Sequence, residues 1–374
     1  MSVIQYLTKK SLQPKLGFST PQLLLHNKNY VLAAVKNNGL ALQHASAELC
    51  ADREVVFAAI KNNGHALRYA SAEVRADREF ISYATLHSKG VVLQFVYADR
   101  ELILELVKKC GEVLPYAKAN LQSDREIVLA AVTNNGGALK HASAELRADR
   151  EIVLAAVKNS GGAIRYASAE LRDDREIALI AIKHSGTLSK YLSIKLRGDY
   201  EFVLVAVVED HRSLQYASDE LRANRDFMIA VVKIVDKTLK YASDDLRNDY
   251  EVVLNAVRKD ALSLMRAGDK LRNNYEIVLA AVQNYGGVLQ LASRDLRANR
   301  EIVLAAVKNC GLALRDASIN LRADREIVLA AVKNSGIALQ FASADLCNDM
   351  EIVETAIKRA PSAIEYARPL CGLA

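Results

Sequence analysis

Residues 149–173 read DREIVLAAVKNSGGAIRYASAELRD, and the same phrase returns along almost the whole chain. The acidic residue after each Asp-Arg pair sets the register: Glu54, Glu79, Glu101, Glu126, Glu151, Glu176, Glu201, Asp226, Glu251, Glu276, Glu301, Glu326 and Glu351, with Asn29 in the first unit. Twelve of the thirteen intervals are 25 residues and one, Glu79 to Glu101, is 22, which makes fourteen units. Self-similarity at this period means stacked supersecondary units, so length does not count domains in the usual way.

Within the quoted unit, Asp149 is a helix N-cap, because its carboxylate can accept from the unpaired amides of the first turn. Asp or Asn fills that slot in thirteen units, from Asp52 to Asp349. Ile152 to Val157 are apolar on every helical face, so this helix is expected to be buried on several sides. Lys158-Asn159-Ser160-Gly161 ends it, with the glycine expected in the left-handed conformation of a C-cap. A second helix is expected behind it, placing Ile164, Ala167 and Leu171 on one stripe. Helices of roughly ten residues are marginal alone, so each unit must bury its apolar face on the next.

The predicted fold is therefore an all-α solenoid of about fourteen two-helix repeats. One repeat domain spans 27–368, its units starting near 27, 52, 77, 99, 124, 149, 174, 199, 224, 249, 274, 299, 324 and 349. Residues 1–26 are expected to form an N-terminal cap and 369–374 a short tail. Two interior stretches depart from the pattern. The third unit loses its Ala-Ser-Ala-Glu-Leu segment, so its second helix should be truncated. Between 200 and 275 the closing glycine becomes His211, Asp236 and Ala261, and Tyr200, Tyr250 and Tyr275 replace the usual arginine before the register acid.

An apolar fraction of 51% with 25% charged residues is ordinary for a soluble folded chain and excludes a disordered one. A formal charge of +6 permits an acidic partner without requiring one. Five cysteines in unrelated units cannot form a disulfide framework, so a reducing, cytoplasmic setting is expected. No apolar run approaches the ~18 residues of a membrane span. The seven histidines carry no metal-ligand spacing, and no nucleophile elbow or phosphate loop occurs, so no metal, cofactor, small-molecule substrate or catalytic residue is expected. The expectation is a monomeric non-enzyme.

In a stack, each slot becomes a line of side chains. One slot holds long hydrogen-bond donors, among them Arg68, Arg165, Lys190, Gln215 and Lys240. The next is largely aromatic, with Tyr69, Tyr116, Tyr166, Tyr191, Tyr216 and Tyr241. Such a ladder can grip an extended protein or peptide, the first reading of this chain; the alternative is stacking on single-stranded RNA or DNA bases. The Asp-Arg-Glu and Leu-Arg columns, the latter running through Arg147, Arg172 and Arg222, are expected to form a ladder of inter-repeat ion pairs.

The combined phrase DREIVLAAVKNxGxALxxASxELRxD, over residues 29 to about 368, resembles a family of short α-helical repeats found in intracellular bacteria, protists and giant viruses. That resemblance brings no catalytic residues to carry over. It implies a setting, since some members look like secreted bacterial effectors acting inside a host cell.

Overall fold

The computed structural model describes residues 24–367. The expected tail, and all but the last few residues of the expected N-terminal cap, lie outside them. The chain divides into two compact units, Met1–His184 and Ser185–Ala374, and each is described by itself. Both are all-α solenoids, with no strand among the described residues. Fourteen α-helices of ten residues, from Lys28–Asn37 to Met350–Arg359, mark the fourteen repeats.

The ten-residue helix begins as the sequence predicts. Asp149 accepts from the amides of Glu151 and Ile152 at 3.0 and 3.1 Å, and Asp124, Asp52 and Asn299 do the same in their own units. Of the six apolar residues in Arg150–Asn159, Ile152, Val153, Ala156 and Val157 are buried. The helix is thus buried on several sides, as expected, while Leu154 and Ala155 are only half-buried and leave one face partly open.

The second helix differs from expectation in kind. It is a 3-10 helix of six residues, Gly161–Tyr166 in this unit, followed by a separate short turn such as Leu171–Asp173. A 3-10 helix has three residues per turn, so positions three apart eclipse. Gly161 and Ile164 face inward together, Gly162 and Arg165 face outward together, and buried Ala163 lies under Tyr166.

Nor is the glycine a left-handed cap. Gly90 is the one glycine with positive φ, at 98°, among the described residues. The other glycines that open the 3-10 helices are needed for space. A Cβ on Gly136 would stand 2.3 Å from the Ala156 carbonyl oxygen of the next helix, and one on Gly311 would stand 2.4 Å from Ala331 O. The asparagine of the following repeat locks this approach. Asn159 Oδ1 accepts from the Gly136 amide at 2.7 Å, while its Nδ2 donates to the carbonyls of Thr133 at 3.0 Å and Asn134 at 3.3 Å. One side chain thus caps the preceding helix C-terminus and seats the preceding 3-10 helix. Asn62, Asn134, Asn309 and Asn334 repeat the arrangement on Gly39, Gly111, Gly286 and Gly311. A backbone bond adds to it, Ser168 N–H to Arg147 O at 2.9 Å.

The irregular stretches now have physical readings. In the third unit the 3-10 helix survives as Val91–Phe95, entered through Lys89 and Gly90 at positive φ. It is one residue shorter than in most other units, and the short turn after it is missing, so the second element of this unit is truncated as the sequence predicts. In the second compact unit both glycine and clamp are absent at two junctions, His211 with Ile234 and Asp236 with Lys259, whereas Ala261 keeps Asn284 and the glycines Gly186 and Gly336 face Glu209 and Arg359. The two are separable: a Cβ on Gly336 would still stand 2.2 Å from Ala356 O with Arg359 in the asparagine slot.

Two outcomes follow for stability. Gly311→Ala drives a Cβ into a backbone carbonyl and lowers the unfolding free energy by about 1–3 kcal/mol, whereas Gly162→Ala, whose nearest foreign atom is 3.9 Å away, leaves it nearly unchanged. Urea melts of the two variants compare them. Asn309→Ala strands the Gly286 amide and costs about 1–3 kcal/mol, read as faster hydrogen exchange at Gly286.

Candidate functional site

Three surfaces of the repeat can meet a partner, and each is built by a different local rule. The edge carrying the helix N-termini is an ion-pair ladder. Arg150 Nε donates to Asp174 Oδ2 at 2.8 Å and its Nη2 to Glu176 Oε2 at 2.5 Å, one repeat ahead. Arg100, Arg225, Arg300 and Arg325 do the same, and Lys28 starts the series on Asp52 and Glu54. The Leu-Arg column does not join this ladder, contrary to expectation. Arg222, Arg247 and Arg272 turn back three residues to Asp219, Asp244 and Asp269 of their own short turns.

Where tyrosine replaces the ladder arginine, the junction is rebuilt without its cation. Tyr250 donates its hydroxyl to the Glu276 carboxylate and Tyr275 to that of Glu301, while Tyr200 packs edge-on against Phe227 at 5.1 Å. The N-cap of each following repeat is then Asn224, Asn274 or Asn299 in place of aspartate. Arg225, Arg300 and Arg325 are followed by Asp249, Asp324 and Asp349. Cation and facing cap carboxylate are thus exchanged as a pair for two neutral groups, which avoids leaving either charge uncompensated.

The second surface is the open face of the ten-residue helices. Shallow grooves run between successive helices, with half-buried leucine and alanine as floor and lysine at one edge. One of about 490 Å³ is lined by Leu304, Leu329, Ala330, Lys308 and Lys333. Another, about 940 Å³, lies in the first compact unit at Phe57, Tyr83 and Leu86, where the repeat is shortest. Sequence reasoning missed this face because Leu154 and its equivalents were assigned to the core.

The third surface is the outer side of the 3-10 helices, and it holds every candidate residue named from the sequence. Tyr69, Tyr116, Tyr166, Tyr191, Tyr216 and Tyr241 are all half-buried, and Arg68, Arg165, Lys190 and Lys240 are exposed, with Gln215 intermediate. The structure brings the two columns together as cation–π pairs. The Arg165 guanidinium lies 4.6 Å from the Tyr166 ring centroid, Lys190 4.9 Å from Tyr191, Lys240 4.6 Å from Tyr241, and Arg68 5.5 Å from Tyr69. Some rings also pack on the preceding repeat, since a Cβ on Gly90 would come within 2.5 Å of the Tyr116 ring.

Eclipsing adds a position the sequence reading did not single out. Where the six-residue 3-10 helix forms, the residue after the glycine stands over the donor slot; Lys237, at φ 60° and ahead of the shorter Leu239–Tyr241 helix, is an exception. This position varies more than its neighbours, running Thr187, Arg212, Lys237, Leu262, Gly287, Leu312 and Ile337 through the second compact unit. Period-3.6 reasoning separates the two slots, and only a three-residue turn superposes them.

The cap carboxylates dominate the titration behaviour. The Arg100 guanidinium holds Asp124 below its ordinary 3.8, against the upward push of partial burial. Arg212 and then the Gly186 amide hold Asp210 far lower, and the Ile352 amide followed by Arg325 lowers Asp349. Among the described residues no His, Cys, Asp or Glu group is arranged to hold a metal ion. No helix there is long and apolar enough to cross a membrane.

A family model described as "Domain of unknown function (DUF4116)" matches the chain repeatedly, at residues 27–75, 52–96, 99–147, 149–197, 199–247, 224–272, 249–297, 274–322, 299–345 and 324–370. No curated protein matches it.

Two measurements address this electrostatic edge. Folded-state values below 3.8 mean the carboxylates contribute fully above that pH and progressively less as pH falls through their lowered values. The urea midpoint should therefore be level above about pH 5 and fall in acid; a midpoint unchanged down to about pH 2 contradicts the assignment. Tyr250→Arg and Asn274→Asp should each destabilise singly, while the double variant recovers most of the loss, a coupling of about 0.5–1 kcal/mol in a double-mutant cycle.

Proposed function

We propose that this chain, which belongs to the DUF4116 repeat family, is a non-catalytic scaffold that holds a protein or peptide partner along the outer face of its 3-10 helices. The observation that carries this reading is the contrast between slots. Cap, clamp, core and ladder positions are fixed by their neighbours, whereas the eclipsed outer pair is free to vary from repeat to repeat while keeping a rigid, regularly spaced mount. A constant frame with a varied outer row suits recognition of an extended chain, one side-chain cluster per repeat. In this reading Tyr69, Tyr116, Tyr166, Tyr191, Tyr216 and Tyr241 supply apolar contact area, and Arg68, Arg165, Lys190, Gln215 and Lys240 supply donors.

A single-stranded nucleic acid is the weaker occupant. A formal charge of +6 is small for a chain of this length, and acids such as Asp236 and Asp316 interrupt the positive field on this face. The protein works as a monomer here, in a reducing cytoplasm such as that of a host cell. The free thiols of Cys50, Cys110 and Cys310 support that setting.

Replacing Tyr166, Tyr191, Tyr216 and Tyr241 together by Ala should weaken peptides selected against the whole chain by tenfold or more, about 1.4 kcal/mol, with helical circular dichroism retained. Unchanged affinity with intact helicity removes this face as the site. Mixed-sequence oligonucleotides titrated at two salt concentrations separate the alternative, which requires affinity that falls steeply with salt.

A further inference from the structure

The outer 3-10 face of the second compact unit is not uniform along its length. From Ser185 to Ala267 its helices and their caps carry Lys190, Arg212, Lys237, Lys240 and Arg266. The acids in the same stretch are Asp210, Asp236 and Asp260. Two of those acids are already engaged: Asp210 accepts from the Gly186 amide at 2.7 Å and the Arg212 amide at 2.9 Å and pairs with the Arg212 guanidinium at 2.7 Å, which leaves the lysines as the open cations, and Asp260 accepts from the Leu262 amide at 3.1 Å. Lys190, Lys237 and Lys240 are all exposed. This end therefore presents cations outward and spends most of its carboxylates inward.

Beyond it the face becomes apolar. Leu312 is 40% exposed and Tyr285 50%. Together with Ile337 and Phe341 they line a groove of about 270 Å³ across three successive repeats. Gly287 belongs to this construction, because a Cβ there would strike the Tyr285 ring at 2.6 Å. Gln290 and Gln340 edge the groove, each donating to a carbonyl of its own turn, Gly287 O at 3.3 Å and Ile337 O at 2.9 Å. The volume suits one aliphatic or aromatic side chain.

We infer that this unit takes an extended peptide segment with carboxylates at one end and a single large apolar anchor at the other. The carboxylates meet Lys190, Lys237 and Lys240, and the anchor enters the Tyr285–Leu312–Phe341 groove. The inference rests on the peptide-scaffold reading above and adds the chemistry and order of the ligand. Lys240 and Leu312 are three repeats apart. At ~8–10 Å per packed helix this is roughly 25–30 Å, which an extended chain crosses in about eight residues. Charge sets the direction of the bound chain and the groove sets its register.

The test pans a random peptide display library, long enough to cover both ends, against the full chain and titrates the winners by fluorescence anisotropy. Winners should carry two or more acids and one Leu- or Phe-like residue in fixed order, about eight residues apart. The Lys190→Glu/Lys237→Glu/Lys240→Glu variant and, separately, Leu312→Asp should each weaken them about tenfold or more, with circular dichroism unchanged. Winners that need the tyrosine column but ignore both variants overturn the assigned chemistry and leave the scaffold face standing. Winners indifferent to every substitution on this face, an empty selection, or preferential binding of homopolymer RNA or anionic vesicles overturns both.

Discussion

The contact on which the stack depends is a glycine Cα pressed against the backbone carbonyl of the next helix. At Gly136 any side chain would occupy the space of Ala156 O. A helix end and a 3-10 start brought this close expose unpaired amides and carbonyls, and one asparagine from the next repeat satisfies both. Buried polar groups cost several times more unpaired than they return when paired. Where both are present, the glycine and the asparagine work as one device split across two repeats. Both are absent at His211 with Ile234 and at Asp236 with Lys259, while Gly161, Gly186 and Gly336 stand without the asparagine.

Around that contact, weaker terms fix register. The arginine ladder is exposed, with guanidinium groups about half accessible, so each pair contributes little alone. Its acceptors are also helix N-caps, however, so each arginine bridges into the first turn of the next helix rather than between loose side chains. Geometry then passes from neighbour to neighbour through a cap, a clamp and one backbone bond, with no contact needed between distant repeats. Such nearest-neighbour construction frees the outer 3-10 face from structural duty, and an interaction surface can vary there without cost to the fold.

Much of this was legible in the sequence. Period, unit count and capping aspartates follow from residue types with narrow local roles, and the ten-residue helices match the apolar run from Ile152 to Val157. The errors share a cause. Glycine after asparagine signals a left-handed cap when the chain is read locally, but Gly161 answers to His184 and Gly136 to Ala156, both in the next repeat. Likewise a 3.6-residue period was assumed for a segment that turns every three, which hid the eclipsed outer pair. The aromatic and donor columns were found as lines, but their mutual stacking, Arg165 on Tyr166 for example, depends on side-chain geometry that spacing does not contain.

The exchange of arginine and aspartate for tyrosine and asparagine reaches beyond its own junctions. A repeat ending in one chemistry accepts only a successor that begins with the matching one, as Tyr250 precedes Asn274 and Arg300 precedes Asp324. The fourteen modules are therefore not interchangeable beads. Their order along the chain is written into the joints, and recombination or duplication that shuffles them is filtered by the match of cation to cap carboxylate at each new seam.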